Sequence, residues 1–307
     1  MVKKRGRGEL NQAQERAVLT TEGPVLIVAG AGSGKTRVLA HRIAHLIEKG
    51  VPPESILAIT FTNKAAGEMK NRILSLLKGS DYFSVPWIGT FHALSAFILR
   101  ESGSEIGVKK SFSILDEEDA LGLIKESLEE AGLDPKQFEP RRMRALISRK
   151  KNEMEGLGKF RESAVEYFPK ILARVWESYE ARLKKSNALD FDDLLLKTVE
   201  LFSSHPEILA RYEERWKYIH VDEYQDTNLV QYHLTKSLAQ KYKNICVVGD
   251  IDQAIYSWRG ADFRNILHFE RDWAEAILIT LEENMDPRML LKLEHLELWL
   301  QKVQYVM

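Results

Sequence analysis

Residues 25–43 read VLIVAGAGSGKTRVLAHRI, and this stretch decides the class of fold. The apolar run Val25–Ala29 predicts a buried strand. The glycines that follow, Gly30, Gly32 and Gly34, allow backbone conformations that a side chain would block, so successive N–H groups can point into one concavity that fits an anion. The pattern then becomes amphipathic, which indicates a helix that begins at this concavity. A strand, a glycine-rich turn and a helix in this order are typical of a phosphate-binding loop.

The residues after the last glycine are suited to a nucleoside triphosphate. Lys35 would supply a positive charge to the β- and γ-phosphates, and Thr36 would supply a hydroxyl to Mg²⁺. The start of the helix adds the positive end of its dipole. A pattern of this kind usually begins with glycine, and Ala29 meets the same need for a small residue. The alternative is a glycine-rich turn with a chance lysine. The predicted nucleotide-contacting residues of this loop are Ala29, Gly30, Ala31, Gly32, Ser33, Gly34, Lys35 and Thr36.

A pair of carboxylates follows a second strand-like run, in YIHVDEYQDTN at residues 218–228. Asp222 would hold Mg²⁺, usually through water, and Glu223 would orient and deprotonate an attacking water. The alternative is that the two acids only cap the next helix. Because a phosphate-binding loop is expected on the same sheet, the pattern favours catalysis.

Composition limits the class of protein. The chain has 307 residues, of which 44% are apolar and 29% are charged, so we expect a soluble globular protein with a substantial core. The net charge of −1 means that a nucleic acid would have to be bound by a local basic surface. The single cysteine, Cys246, excludes an internal disulfide and favours a reducing cytoplasm. Nothing suggests a secretion signal or a membrane span, so we expect a cytoplasmic protein.

Strand-like apolar runs alternate with helical patterns along most of the chain, which predicts a parallel sheet covered on both faces. From about Glu101 to about Ser186 the helical patterns follow one another with no strand among them. We therefore expect an all-helical insertion within an α/β domain. The strand-like runs are VLIVA, ILAIT, WIGT, YIHVDE, NICVVGD and AILITL.

Six motifs in a fixed order resemble the N-terminal half of superfamily 1 DNA helicases of the UvrD/Rep/PcrA type. The resemblance extends from about Leu10 to Asn284. It implies a P-loop NTPase (RecA-like) parallel sheet flanked by helices, and an ATP-driven, Mg²⁺-dependent motor that moves 3′ to 5′ along single-stranded DNA and unwinds duplex at single/double-strand junctions. The motifs are LNQAQ, AGAGSGKTR, AITFTNKAAGEM, GTFHALS, VDEYQDTN and VVGDIDQAIYSWRGAD.

The resemblance also implies a division of the chain. Residues 1–108 and 187–284 would form the RecA-like motor domain called 1A, and residues 109–186 would form the helical insertion called 1B. Residues 285–307 would form an atypical helical tail.

The resemblance assigns further residues to the nucleotide. Gln14 would read the edge of adenine, Arg37 would lie beside the base, and Gln253 would contact the γ-phosphate as a catalytic residue. As alternatives, Asn11 and Gln14 are spaced as a capping box, and Arg37 is an exposed helix residue.

A single-strand DNA track is implied by aromatic, polar and basic residues that follow strands. The residues are Phe61, Thr62, Asn63, Lys64, Thr90, Phe91, His92, Tyr256, Trp258 and Arg259. As alternatives, Phe61 is a core residue, Lys64 is a solvated surface charge and His92 is a structural hydrogen-bonding residue. The alternative for Tyr256, Trp258 and Arg259 is a buried aromatic cluster. Because Gln253 is close in sequence to Tyr256, one segment would couple the γ-phosphate to DNA.

Two charged stretches have competing interpretations. The aspartates of NALDFDDLL could form a metal site, but Asp190 is better explained as a helix cap. The basic run RRMRALISRKKN at residues 141–152 is normally a solvated helix face, and on this fold it would contact DNA phosphates.

The resemblance ends after Asn284, where the family has a tyrosine and an arginine and this chain has Met285 and Asp286. The second motor domain is also missing, so we expect weak hydrolysis unless that domain or a partner protein supplies the arginines. A truncated or frame-shifted gene product, or a fragment, would explain the change. Two alternatives stay open, an ATP- and single-stranded-DNA-binding module without motor activity and a small-molecule kinase.

Overall fold

The computed structural model describes residues 10–30, 32–78, 84–250 and 264–281. These residues form two compact units. The first, called the sheet unit here, takes the described residues within 1–90, 213–227 and 238–307. The second, called the helical unit, takes residues 91–212 and 228–237.

The strands in chain order are β1 (Val25–Ala29), β2 (Ile56–Thr60), β3 (Trp87–Thr90), β4 (Ser113–Ile114), β5 (Ala188–Leu189), β6 (Tyr218–Val221), β7 (Ile245–Gly249) and β8 (Ile277–Leu281). The helices are α1 (Gln12–Leu19), α2 (Lys35–Glu48), α3 (Asn63–Leu76), α4 (Phe91–Ser102), α5 (Glu117–Glu130), α6 (Pro140–Asn152), α7 (Leu157–Ser163), α8 (Tyr167–Lys185), α9 (Phe191–Ser204), α10 (Pro206–Arg215), α11 (Leu229–Ala239) and α12 (Arg264–Asp272).

The sheet unit is built on one six-stranded sheet in the order β3-β2-β6-β7-β1-β8, in which every described pairing is parallel. The register pairs Val25 of β1 with Cys246 of β7 and with Ile277 of β8. β1, β2 and β7 are buried along their whole length, as expected for strands covered on both faces. All six predicted strands and the predicted α/β class are confirmed.

The core of the sheet unit lies between the sheet and helices α1 to α3. α2 contributes Val38, Leu39, Ile43 and Ile47, none of which is exposed. They pack in one cluster with apolar residues of β1, β2, β7 and β8, so the helix that follows the phosphate-binding loop is held firmly on the sheet.

The helical unit has its own core, in which α5, α6, α7 and α8 bury large side chains such as Trp176 and Tyr179. The prediction that no strand lies between Glu101 and Ser186 is wrong in one detail. β4 pairs in parallel with β5, and Ser113 N donates to Asn187 O over 3.0 Å. Each of these strands has two residues, which is too short for an alternating pattern to indicate it.

The helical unit contains all of the predicted insertion 109–186 together with α4 and α9. The predicted division into 1–108 with 187–284, 109–186 and 285–307 stays a prediction, and residues 282–307 lie outside the described residues. Within the described chain, no helix combines the length and apolar character that a membrane crossing requires.

Candidate nucleotide-binding site

The glycine-rich loop joins β1 to α2 at the carboxyl end of β1. Gly32 has φ +77° and Gly34 has φ +87°, a region that favours glycine because it lacks a Cβ. Ser33 closes the turn, since its Oγ donates to Gly30 O over 2.7 Å. Ala31 lies outside the described residues. The local geometry therefore explains why glycine stands at these positions.

α1 packs against this loop through Gln14. The amide Nε2 of Gln14 donates to Ser33 O over 2.9 Å, and its Oε1 accepts from Asn11 N over 3.2 Å. Asn11 Oδ1 accepts from Gln14 N in return, which completes the capping box. The capping alternative is therefore confirmed, while adenine recognition by Gln14 stays a prediction. Arg37, in the first turn of α2, is partly exposed, and its role beside the base also stays a prediction.

Lys35 lies among carboxylates that come from distant parts of the sequence. Its Nζ lies 3.0 Å from Asp250 Oδ2 and 3.6 Å from Glu223 Oε2. Asp250 follows β7, which lies beside β1, and Glu223 follows β6, which is the next strand beyond β7. Because the carboxyl ends of parallel strands meet at one edge, the sheet order brings the three side chains together.

Thr36 and Asp222 form a second contact, in which Thr36 Oγ1 donates to Asp222 Oδ2 over 2.8 Å. The Asp222 residue is 2% exposed, and burial raises the pKa of its carboxyl to about 6, with Glu223 adding to the rise and the bond from Thr36 opposing it. A cation at this position would stabilise the ionised form. The pair offers two oxygen ligands, which fits Mg²⁺ held jointly with phosphate oxygens and water. Among the described residues, no group of three or more His, Cys, Asp or Glu side chains is arranged to hold a metal ion by itself.

Glu223 has an unusual backbone conformation, with φ 49° and ψ 46°. A residue with a side chain rarely adopts this left-handed region, which costs on the order of 1–2 kcal/mol. Glu223 stands at the N-cap of a short 3-10 helix, Tyr224–Asp226, yet its side chain makes no capping hydrogen bond there. The alternative that Glu223 only caps a helix is therefore not what the structure shows. Instead, its Oε2 accepts from Gln225 Nε2 over 2.9 Å.

Sequence reasoning missed two residues of this site, Asp250 and Gln225. Gln225 is completely buried, and its Oε1 accepts from Asp250 N over 2.9 Å, so one amide contacts both Asp250 and Glu223. The stretch VVGD repeats the pattern of a buried strand followed by aspartate that singled out Asp222. That repetition was the signal for Asp250, whereas Gln225 has no comparable signal.

The predicted DNA residues near β2 are accessible. Phe61 is partly exposed, so it is not the core residue of the alternative interpretation, and Asn63 and Lys64 are exposed. Thr62 is exposed and is the N-cap of α3, with its Oγ1 accepting from Ala65 N over 3.1 Å. Their contact with DNA stays a prediction.

The predicted DNA residues near β3 differ in exposure. Thr90 is 9% exposed and Phe91 is 1% exposed, so burial disfavours a DNA contact by Phe91. His92 is partly exposed and meets the ring of Phe191 edge-on, with 5.3 Å between the ring centroids. Burial lowers the pKa of His92, which fits a neutral structural imidazole better than a charged phosphate contact.

Several predicted residues lie outside the described residues. They are Gln253, Tyr256, Trp258, Arg259, Met285 and Asp286. The predicted coupling between γ-phosphate and DNA through this segment stays a prediction.

The acidic stretch NALDFDDLL is a helix cap, as expected. Asp190 Oδ1 accepts from Asp193 N over 2.7 Å and starts α9. Lys151, placed by the sequence on a basic helix face, is instead buried and lies 3.0 Å from Asp190 Oδ2 and 2.7 Å from Asp193 Oδ1. Its neighbour Lys150 pairs with Glu155 over 2.8 Å. The basic run is therefore partly neutralised within the helical unit.

Comparison with known proteins agrees with this geometry. Residues 10–274 match the family model described as UvrD/REP helicase N-terminal domain. The chain is 52% identical over 277 residues to the ATP-dependent DNA helicase PcrA of Bacillus subtilis (strain 168), a match that covers 90% of this chain and 37% of that protein. It is 51% identical over 276 residues to the ATP-dependent DNA helicase PcrA of Staphylococcus aureus (strain Mu50 / ATCC 700699), covering 90% of this chain and 38% of the relative.

The chain thus spans less than half the length of the curated relatives it matches. The family match, by contrast, covers most of this chain and includes the phosphate-binding loop, the acidic turn after β6 and the strand that ends at Asp250. The chain therefore belongs to the UvrD/REP helicase N-terminal domain family.

Proposed function

We propose that this chain binds ATP with Mg²⁺ at the loop between β1 and α2 and supplies the ATP-hydrolysing half of a 3′–5′ DNA helicase. The convergence of Lys35, Thr36, Asp222 and Glu223 at one edge of the sheet carries the proposal. Each has the chemistry that one part of phosphoryl transfer to water requires. Single-stranded DNA and its junctions with duplex are the proposed partners, and a second motor domain would supply an arginine to the γ-phosphate.

The contacts support one role for each of these residues. Lys35 neutralises the β- and γ-phosphates, and the loop amides bind their oxygens. Thr36 and Asp222 would hold Mg²⁺, which would supply positive charge beside the phosphates. Glu223 accepts a proton from the water whose oxygen attacks the γ-phosphorus, and the bond from that phosphorus to the β–γ bridging oxygen breaks as ADP leaves.

The experiment measures ATP hydrolysis by the purified chain with and without single-stranded DNA. We expect DNA-stimulated hydrolysis that is weak but is abolished by Glu223→Gln, with ATP binding retained. Glu54→Gln is the matched control, because Glu54 is an exposed carboxylate just before β2, at the opposite end of that strand from the site. Its hydrolysis rate should equal that of the unmodified chain.

Other outcomes separate the alternatives. Binding of ATP and single-stranded DNA without any turnover would indicate a binding module. Phosphorylation of a small acceptor, with no binding of single-stranded DNA at low salt, would indicate a kinase. A chain that binds no ATP would contradict the proposal altogether.

A further inference from the structure

Arg42 is a buried cation whose role the catalytic site does not explain. It lies in α2, it is 1% exposed, and it is among the largest fully buried side chains. Its Nη1 donates to Ala17 O over 2.8 Å and also to Thr20 O, and its Nη2 donates to Thr21 O over 3.2 Å. Every one of these acceptors is a backbone carbonyl, and Ala17 lies in the last turn of α1, Thr20 is its C-cap and Thr21 follows directly.

These contacts suit the chemistry of a helix end. The last carbonyls of a helix have no donor within the helix, and they form the negative end of its dipole. A guanidinium supplies several donors in one plane together with a full positive charge, so it can bind several such carbonyls at once. Arg42 therefore attaches the C-terminal end of α1 to α2.

The surroundings of Arg42 reinforce this attachment. His220 on β6 is 1% exposed, and burial together with the charge of Arg42 lowers the pKa of His220 to about 3. His220 is therefore neutral at physiological pH. His220 therefore places no second positive charge beside Arg42.

The opposite end of α1 is attached to the phosphate-binding loop. Gln14 Nε2 donates to Ser33 O over 2.9 Å, and a Cβ added to Gly34 would lie 3.2 Å from the same nitrogen. α1 has eight residues, so Gln14 at one end and the carbonyls bound by Arg42 at the other are only about two turns apart. A shift at the Arg42 end would thus be transmitted to Gln14.

We propose that Arg42 is a positioning residue for the nucleotide base, because it fixes α1 so that Gln14 stays beside the phosphate-binding loop. This inference rests on the proposed ATP site. Gln14 has both a donor and an acceptor on its amide, as the edge of adenine requires. Arg42 contacts neither the base nor the phosphates, so its loss weakens recognition of the base and leaves the phosphate contacts in place.

The test compares two ligands in the presence of Mg²⁺, ATP and inorganic tripolyphosphate, which lacks the base. Dissociation constants are measured for the unmodified chain, Arg42→Met and Arg42→Lys. We expect Arg42→Met to weaken ATP binding about tenfold, the lower end of the effect known for residues that orient metal ligands, with tripolyphosphate binding unchanged. Arg42→Lys keeps the charge with fewer donors, so it should recover part of the loss.

Two controls sharpen the result. Arg174→Met removes another arginine that donates to a backbone carbonyl, Ala131 O, in the helical unit, and it should change neither constant. Gln14→Ala should lower the preference for ATP by itself, and Arg42→Met should add little to it, because both act through the same helix.

The outcomes are distinct. Equal weakening of both ligands, or no change in either, would overturn the role of Arg42. An unmodified chain that binds tripolyphosphate but gains nothing from the base would overturn it as well. An unmodified chain that binds neither ligand would instead refute the proposed ATP site. If Arg42→Met does not fold, Arg42→Lys carries the same comparison.

Discussion

Replacing Lys151 by methionine should destabilise the helical unit strongly. Lys151 is 1% exposed, and its Nζ lies 2.8 Å from Glu180, 3.0 Å from Asp190 and 2.7 Å from Asp193. Tyr179 also donates to Asp190 Oδ2 over 3.0 Å. One ammonium thus joins α6 to α8 and to the start of α9. Methionine keeps most of the apolar stem and removes only the charge.

The expected magnitude follows from burial. Removing one partner of a buried ion pair costs about 3–5 kcal/mol, because it leaves buried charge uncompensated. Protonation limits this cost. Burial already raises the pKa of Asp193 to about 7, with the negative charge of Asp190 adding to the rise and Lys151 opposing it. Without Lys151, Asp193 binds a proton more readily, so we expect a loss of about 3 kcal/mol, at the lower end of that range.

Urea unfolding followed by circular dichroism at pH 7.5 measures this loss. Lys150→Met is the matched control, since Lys150 is partly exposed and pairs with Glu153 and Glu155. A pair of that kind is worth about 0–1 kcal/mol. Adding Asp193→Asn to Lys151→Met should restore part of the lost stability, because it removes a buried charge that has lost its cation.

Two results would refute the reasoning about Lys151. One is a loss no larger than that of the Lys150 control. The other is an Asp193→Asn effect that is the same with and without Lys151, since charges that interact directly must give a non-additive double variant.

Three further predictions concern pH and the nucleotide site. Folding raises the pKa of Asp193 from 3.8 to about 7, so its contribution to stability is full below pH 4 and disappears as the pH rises through 7. The free energy of unfolding should therefore fall over that range more steeply in the unmodified chain than in Asp193→Asn. Equal pH profiles would contradict this. Gly34→Ala should lower the free energy of unfolding by about 1–2 kcal/mol, because φ is +87° and the new Cβ would lie 3.2 Å from Gln14 Nε2. Calorimetry should show weaker ATP binding as well. Unchanged stability and affinity would argue against the loop geometry. Lys35→Met should lower the melting temperature as well as ATP binding, because Lys35 pairs with buried Asp250 at 3.0 Å. Adding Asp250→Asn to Lys35→Met should restore part of the melting temperature but not the binding. A melting temperature unaffected by Lys35→Met would exclude that pairing.

Local patterns in the sequence were sufficient for the elements of the fold. Strands buried on both faces appear as continuous apolar runs, so all six strands of the main sheet could be predicted from composition over four or five residues. The capping residues Asn11 and Asp190 could be predicted for a similar reason, since each contacts a backbone group only three positions away. The phosphate-binding loop could also be predicted from local sequence, because its need for glycine arises from the backbone angles of the loop itself.

The tertiary structure alone decided which charges meet. Asp250 is separated from Lys35 by 215 positions, and they meet because β7 lies beside β1 in the sheet, an order that no local pattern encodes. Burial of Lys151 likewise depends on where α8 and α9 pack, since a lysine within a basic run has the same sequence pattern whether it faces solvent or three carboxylates. The attachment of Arg42 to α1 depends on backbone carbonyls, which every residue possesses. Side-chain chemistry and short-range periodicity are written in the sequence, whereas the partners of a charge follow from the packing of distant segments.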